Sequence, residues 1–286
     1  MPPSSLPEGL DEATAQRVID DALAEDVGLG DITSLSVIPA AVQFKGVMAA
    51  RETIVLAGLP LAERVFARVD PASVFTALAK DGDRLKAGAP IARIEGLARS
   101  LLTAERTALN LLQHLTGIAT LTRRYVDEIA GTSCTLLDTR KTIPGLRQMA
   151  KYACRMGGAK NHRMGLYDGV LIKDNHVAVC GSVTEAVRRA KADGRPNVEV
   201  ECDTLSQVEE ALKAGADIIL LDNMSLEMLR QAVSLTKGRI PLEASGGVNL
   251  DTIRAIAETG VDYVSVGRLT QSAPAADIGL DWSANG

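Results

Sequence analysis

From residue 134 onward the chain repeats one pattern, a short and almost wholly apolar run followed by an amphipathic helical stretch. The apolar runs are 134–137, 170–172, 198–200, 218–221, 240–242 and 263–266, and the helical stretches fall near 145–156, 182–193, 204–214, 225–236 and 249–259. Strands that are apolar throughout must be covered on both faces, so strand–helix alternation of this kind predicts a parallel α/β sheet. Six runs are visible, with room for a seventh formed irregularly. A barrel and an open doubly wound sheet both satisfy the pattern. No GxGxxG comes after any of the runs, which weakens a dinucleotide-binding reading.

The polar residues at the end of each run carry the chemistry. The six runs end in Asp138-Thr139-Arg140-Lys141, in Lys173-Asp174-Asn175-His176, at Glu201, in Asp222-Asn223, in Glu243-Ala244-Ser245-Gly246-Gly247 and in Gly267-Arg268. In a parallel barrel these ends share one face, the face on which active sites are built. Arg140, Lys141, Arg163 and Lys173, with His162, have the chemistry to gather carboxylates and phosphates. Glu201 and Asp222 suit Mg²⁺ or sugar hydroxyls. Ser245-Gly246-Gly247, and Gly267 after the last strand, fit a phosphate cradle.

Charge placement points the same way. The net charge is −5, yet residues 138–173 hold eight Lys or Arg against Asp138 and Asp168 alone. Arg147, Lys151 and Arg155 are explained as one helical face by their spacing. The remaining cations lie near strand ends and loops, as an anion site requires. Of the three histidines, His114 lies in an apolar helix and reads as structural, while His176 stands close to Lys173 in a supporting position.

Upstream, 11–26, 59–69 and 101–129 have helical spacing, with Gly117 as an expected interruption of the third. Segments 43–50, 53–57 and 91–94 read as strands, giving a compact sheet-containing domain near 25–100. On spacing alone, Arg106 reads as a surface partner of Glu105.

Several classes are disfavoured. Aromatic content is 3%, which argues against nucleic-acid binding by base stacking. No apolar run approaches the length of a membrane helix, and the first residues show no secretory pattern, so a cytoplasmic location is expected. The four cysteines, Cys134, Cys154, Cys180 and Cys202, show no CxxC pair and read as reduced thiols rather than zinc ligands.

The segments Thr139-Arg140-Lys141-Thr142-Ile143-Pro144-Gly145-Leu146-Arg147, Gly157 through Asp168, and Leu171 through His176 resemble the signature of the quinolinate phosphoribosyltransferase family (nicotinate-nucleotide pyrophosphorylase, decarboxylating). So do Glu199-Val200-Glu201, Leu221-Asp222-Asn223-Met224, Glu243 through Gly247 and Ser265-Val266-Gly267, with Gly30 through Ser34 and Glu105 through Asn110 upstream. The resemblance implies an N-terminal α/β sandwich domain and an incomplete α/β barrel, with boundaries near 1–115 and 116–275 and a tail, 276–286, returning to the first domain. It implies transfer of a phosphoribosyl group from phosphoribosyl pyrophosphate to quinolinate, with loss of CO₂ and with Mg²⁺. It implies a homodimer, or a multiple of dimers, in which Arg106 reaches the partner's site. Carried over, Arg106, Thr139, Arg140, His162, Arg163 and Lys173 hold quinolinate. Lys141, Lys173, Glu201, Asp222, Ser245, Gly246, Gly247, Val266, Gly267 and Arg268 hold the donor. Lys141, Glu201 and Asp222 are the expected catalytic groups, with Glu201 and Asp222 facing Mg²⁺, directly or through water. Alternatives are a Schiff-base enzyme using Lys141 or Lys173, a phosphoribosyltransferase with another acceptor, and a phosphometabolite sensor.

Overall fold

A computed structural model describes residues 5–283. Twelve strands form among these residues: β1 (Gln43–Ala50), β2 (Ile54–Val55), β3 (Val74–Ala77), β4 (Arg84–Leu85), β5 (Pro90–Leu97), β6 (Thr135–Leu137), β7 (Val170–Ile172), β8 (Val198–Cys202), β9 (Ile218–Asp222), β10 (Leu242–Ser245), β11 (Tyr263–Ser265) and β12 (Ile278–Ser283). The chain divides into two compact units. The first comprises Met1–Arg123, Ile143–Gly157 and Ser272–Gly286, and the second Arg124–Thr142 and Gly158–Gln271. Residues 284–286 of the expected tail lie outside the described residues.

The first unit is built on an antiparallel sheet in the order β12-β1-β5-β3. Its helices bury one stripe each, Ala15, Val18 and Ile19 in Glu12–Val27 and Leu61, Ala62, Val65 and Phe66 in Leu59–Val69. The stripes follow the helical period of the sequence, and removing them from water is the main stabilising contribution. Phe66 meets Phe75 of β3 with ring centroids 6.0 Å apart, which ties helix to sheet. Asp81 is a second fastening. Its carboxylate accepts from the backbone of Gly58 at 2.7 Å and of Leu59 at 3.0 Å, at the start of the helix Leu59–Val69. It also accepts from the Tyr152 hydroxyl at 2.6 Å. That bond joins the helix Arg147–Gly157 to this unit, although the helix is flanked in sequence by segments of the other. Burial pushes the Asp81 carboxyl up, and the Tyr152 hydroxyl and the two backbone donors oppose that shift.

Gly117 does not interrupt its helix, which runs unbroken over Ala98–Glu128. The residue is glycine for another reason. A Cβ there would stand 2.0 Å from the carbonyl oxygen of Pro274, so the chain entering β12 passes where a side chain would be. Ala276 donates to the carbonyl of Gln113 at 2.9 Å along the same contact.

The second unit carries a parallel sheet in the order β6-β11-β10-β9-β8-β7. A single bridge between Leu137 and Lys160 adds one residue of a seventh strand on the free side of β6. The result is an incomplete α/β barrel. Its intervening helices Val183–Ala192, Leu205–Ala214 and Leu226–Thr236 start on Ser182, Thr204 and Ser225, whose hydroxyls accept from the third helical residue. The strand expected at 240–242 instead occupies Leu242–Ser245. A charged Glu243 reads as the end of an apolar run, but its side chain is buried and the strand continues through it. The short strand β3, the terminal β12 and the helices Ile32–Val37 and Asp174–Cys180 had no periodic signal long enough to find.

Gly117→Ala is expected to destabilise the first unit by about 1–3 kcal/mol, the usual cost of overpacking. Urea unfolding measures it, and an unchanged midpoint contradicts the close approach of Pro274.

Candidate active site

Successive residues of a strand point to opposite faces, so each barrel strand sends alternate side chains inward. Glu199 and Glu201 of β8, Leu220 and Asp222 of β9, Glu243 and Ser245 of β10, and Ser265 of β11, with Gly267 just beyond it, follow this rule. All of these but Glu199 surround a cavity of about 610 Å³ at the C-terminal ends of the strands. Thr139, Arg140, Lys141, His162, Arg163, Lys173, Val266 and Arg268 complete the wall, so fourteen of the fifteen residues expected to bind substrate line one cavity. The fifteenth, Arg106, is exposed on the helix Ala98–Glu128.

Two arginines dominate the electrostatics. The Nε atoms of both Arg140 and Arg163 are buried, with no hydrogen-bond partner among the described residues. Burial pulls the Arg163 guanidinium down, and the charge of Arg140 adds to that shift. A desolvated like-charged pair is costly unless an anion joins it. Arg163 keeps one neutral contact, from Nη1 to the carbonyl of Gly169 at 3.0 Å.

The loop bearing Arg163 is fixed from below. Asp138 is fully buried at the end of β6 and accepts from the Asn161 amide at 2.5 Å and the His162 backbone at 2.9 Å. Asp168 accepts from the backbones of Met164 and Gly165 at 2.6 and 2.8 Å, folding the loop back on itself. His162 has both ring nitrogens engaged. Nδ1 accepts from the Arg163 backbone at 2.8 Å, and Nε2 lies 2.9 Å from Glu199. His176 instead accepts from the Lys173 backbone at 2.9 Å, holding the start of the helix Asp174–Cys180.

The other half of the cavity is arranged differently. Lys173 pairs with Glu201, and Asp222 accepts from the Asn223 amide at 2.7 Å. The Ser265 hydroxyl donates to that of Ser245 at 3.0 Å. Gly246 has φ +90°, and a Cβ there would lie 2.2 Å from Asn223 Oδ1. The glycine therefore keeps backbone N–H groups open at the rim, as a phosphate cradle needs. Thr270 donates to the Lys141 carbonyl at 2.7 Å, which fixes the backbone below the exposed Lys141 side chain.

Sequence reasoning places Glu243 at a polar strand end without giving it a role, and it misses Glu199, which is buried against His162 outside the lining of this cavity. The period-two pattern Val198-Glu199-Val200-Glu201 does hold the signal, since it puts both glutamates of β8 on one face.

Comparison with known proteins agrees with this arrangement. The model of the quinolinate phosphoribosyl transferase C-terminal domain matches residues 118–281, and that of the N-terminal domain matches 31–116. The chain belongs to the quinolinate phosphoribosyltransferase family. A nicotinate-nucleotide pyrophosphorylase of Mycobacterium leprae is 46% identical over 93% of this chain and 96% of its own length. A probable enzyme of the same name from Bacillus subtilis is 43% identical over 93% of this chain and 92% of its own length. The structure of a nicotinate-nucleotide pyrophosphorylase from Francisella tularensis superposes with a TM-score of 0.93 at 40% identity, covering 98% of this chain and all of that one. The C-terminal family model spans the whole parallel sheet and also the helix Arg147–Gly157 and the start of β12, which pack in the first unit.

In a member of this family with this rim, Gly246→Val is expected to raise KM for the phosphorylated substrate by about tenfold or more, through a strained φ and displacement of Asn223. Steady-state kinetics measure it, and an unchanged KM removes Gly246 from the cradle.

Proposed function

We propose that this chain transfers a phosphoribosyl group from phosphoribosyl pyrophosphate to quinolinate and releases pyrophosphate and CO₂, giving nicotinate mononucleotide for de novo NAD synthesis. The observation that carries this reading is the pair of guanidiniums, Arg140 and Arg163, each with a buried and unpartnered Nε, beside a glycine-rich rim. Quinolinate bears two adjacent carboxylates, and desolvating them needs more than one fixed cation. Arg140, Arg163 and Lys173 serve them, with the Thr139 hydroxyl at the strand end. Lys141, Arg268 and the backbone of Ser245, Gly246, Gly247, Val266 and Gly267 take the donor's phosphates.

The pyridine nitrogen attacks C1 of the ribose as the bond from C1 to the pyrophosphate oxygen breaks. Positive charge develops on the sugar, and Glu201 and Asp222 stabilise it. Glu201 and Asp222 both face the cavity and are the hard oxygen donors that would hold Mg²⁺, in part through water, with Lys173 released from Glu201 to the substrate. Mg²⁺ held there would neutralise the leaving pyrophosphate. The nitrogen is then quaternary. The bond from C2 to the carboxylate carbon breaks, the electron pair stays on C2 beside that nitrogen, and a proton replaces the lost CO₂. The site works by placing charge and holding geometry, with Lys141 among the charges rather than as a covalent nucleophile.

The same reading makes the chain a homodimer, or a multiple of dimers, in which Arg106 completes the partner's quinolinate site. Its exposure on its own helix supports this, as do the exposed Leu29, Ile32, Leu35 and Val37 of the first unit. The location is cytoplasmic; among the described residues no helix is long and apolar enough to cross a membrane, and all four cysteines are free thiols.

Arg140→Ala is expected to lower kcat/KM for quinolinate by about 10²-fold or more, the scale of an unpaired buried charge, with the fold intact by circular dichroism. Near-normal turnover defeats the assignment. Mixing Arg106→Ala with Arg140→Ala protomers is expected to restore turnover, because one site of each heterodimer is then complete. Failure of that rescue, with heterodimers formed, removes Arg106 from the partner's site.

A further inference from the structure

Two buried carboxylates have no part in the chemistry of transfer. Glu199 and Glu243 are 4% and 2% exposed, in the middle of β8 and β10. Neighbouring buried acids are expensive unless something joins them. Here the two carboxyls lie within hydrogen-bonding reach of each other, a contact that needs a proton between them. Burial first, and the charge of Glu199 second, push the Glu243 carboxyl up, while His162 and the Ser265 hydroxyl pull it down. Glu243 is the carboxyl that holds the proton of this contact.

His162 rests on this pair. Its Nδ1 accepts an N–H from Arg163 at 2.8 Å, so Nδ1 carries no proton and the neutral ring has its proton on Nε2. Nε2 stands 2.9 Å from Glu199 Oε2 and 3.5 Å from Glu243 Oε2. A neutral imidazole has one donor and one acceptor, and both are spent on the protein. The same assignment argues against a cation here, although one ligand atom from each of the three residues falls within 4.8 Å of the others. A ring nitrogen that binds a metal cannot also hold a proton.

We infer that Glu199 and Glu243 form a buried anchor that holds His162 in its Nε2–H tautomer, and that His162 so held is a positioning residue that sets Arg163. Arg163 begins at the N–H that His162 accepts and ends at the carbonyl of Gly169, with its Nε unpartnered. Loosening the anchor therefore moves a guanidinium of the carboxylate pocket. The inference rests on the proposed function for its kinetic consequence, but not for its tautomer.

The test has two arms. In ¹⁵N-labelled full-length protein without substrate, the His162 ring is expected to show the neutral Nε2–H pattern at pH 7. The chain has three histidines, so His162→Gln assigns the signal by its loss. An Nδ1–H or doubly protonated ring overturns the inference. In the kinetic arm, Glu243→Ala is expected to raise KM for quinolinate by about 10- to 100-fold, the scale of a small misplacement. KM for phosphoribosyl pyrophosphate should stay near its wild-type value. Glu243→Gln, which can still donate to Glu199, is expected to recover most of that loss, and equal damage by Gln and Ala overturns the inference. If Glu243→Ala fails to fold, the Gln variant and the tautomer decide. A protein with the Nε2–H ring that does not turn over quinolinate sinks the proposed function and leaves the anchor standing.

Discussion

The structure of the site depends on one unfavourable interaction, the confinement of two guanidiniums, Arg140 and Arg163, in a partly desolvated pocket, where burial and the charge of Arg140 outweigh the attraction of Glu199 and Asp168 for Arg163. The protein tolerates this because the surrounding framework is rigid. Arg140 sits two residues after the buried Asp138, at the end of β6, and Arg163 lies in a loop whose backbone Asp138 and Asp168 hold. A dianion held by both guanidiniums would offset the repulsion between them. Binding energy at the acceptor is thereby available for positioning the pyridine nitrogen against the ribose.

The pleat of the strands divides the acidic groups between two places. In β8, Glu201 reaches the cavity and meets Lys173, while Glu199, two residues earlier, is buried outside its lining. One strand thus presents one carboxylate to the cavity and another to His162. The rim at Ser245-Gly246-Gly247 carries no charge at all and offers backbone, which suits a phosphate better than a third arginine next to Arg140 and Arg163 would.

Much of this was legible in the chain because the barrel states its rule repeatedly. The apolar runs mark five of the six strands to within about two residues of their observed bounds, and the polar groups after them converge as a parallel sheet requires. The failures have physical causes. Glu243 reads as a strand end because a charge in an apolar run is normally at the surface, whereas here a shared proton removes the penalty. Gly117 reads as a helix breaker, but its helix is held by packing, and the missing side chain makes room for Pro274. The helix Arg147–Gly157 has ordinary amphipathic spacing, and nothing in that spacing says that Tyr152 fastens it to Asp81. Arg106 lies beyond spacing altogether, since a contact with a second copy of a chain, the role proposed for it, would leave no periodic trace. Only the resemblance to the family gave it a role.

The central claim is that this pocket of fixed charge couples phosphoribosyl transfer to loss of the carboxylate beside the ring nitrogen. Release of labelled CO₂ from quinolinate carrying the label in its 2-carboxylate tests it most directly. The account predicts release only when phosphoribosyl pyrophosphate is also present, in a one-to-one ratio with nicotinate mononucleotide formed. Release without the donor, or equal turnover of nicotinate in place of quinolinate, would contradict it.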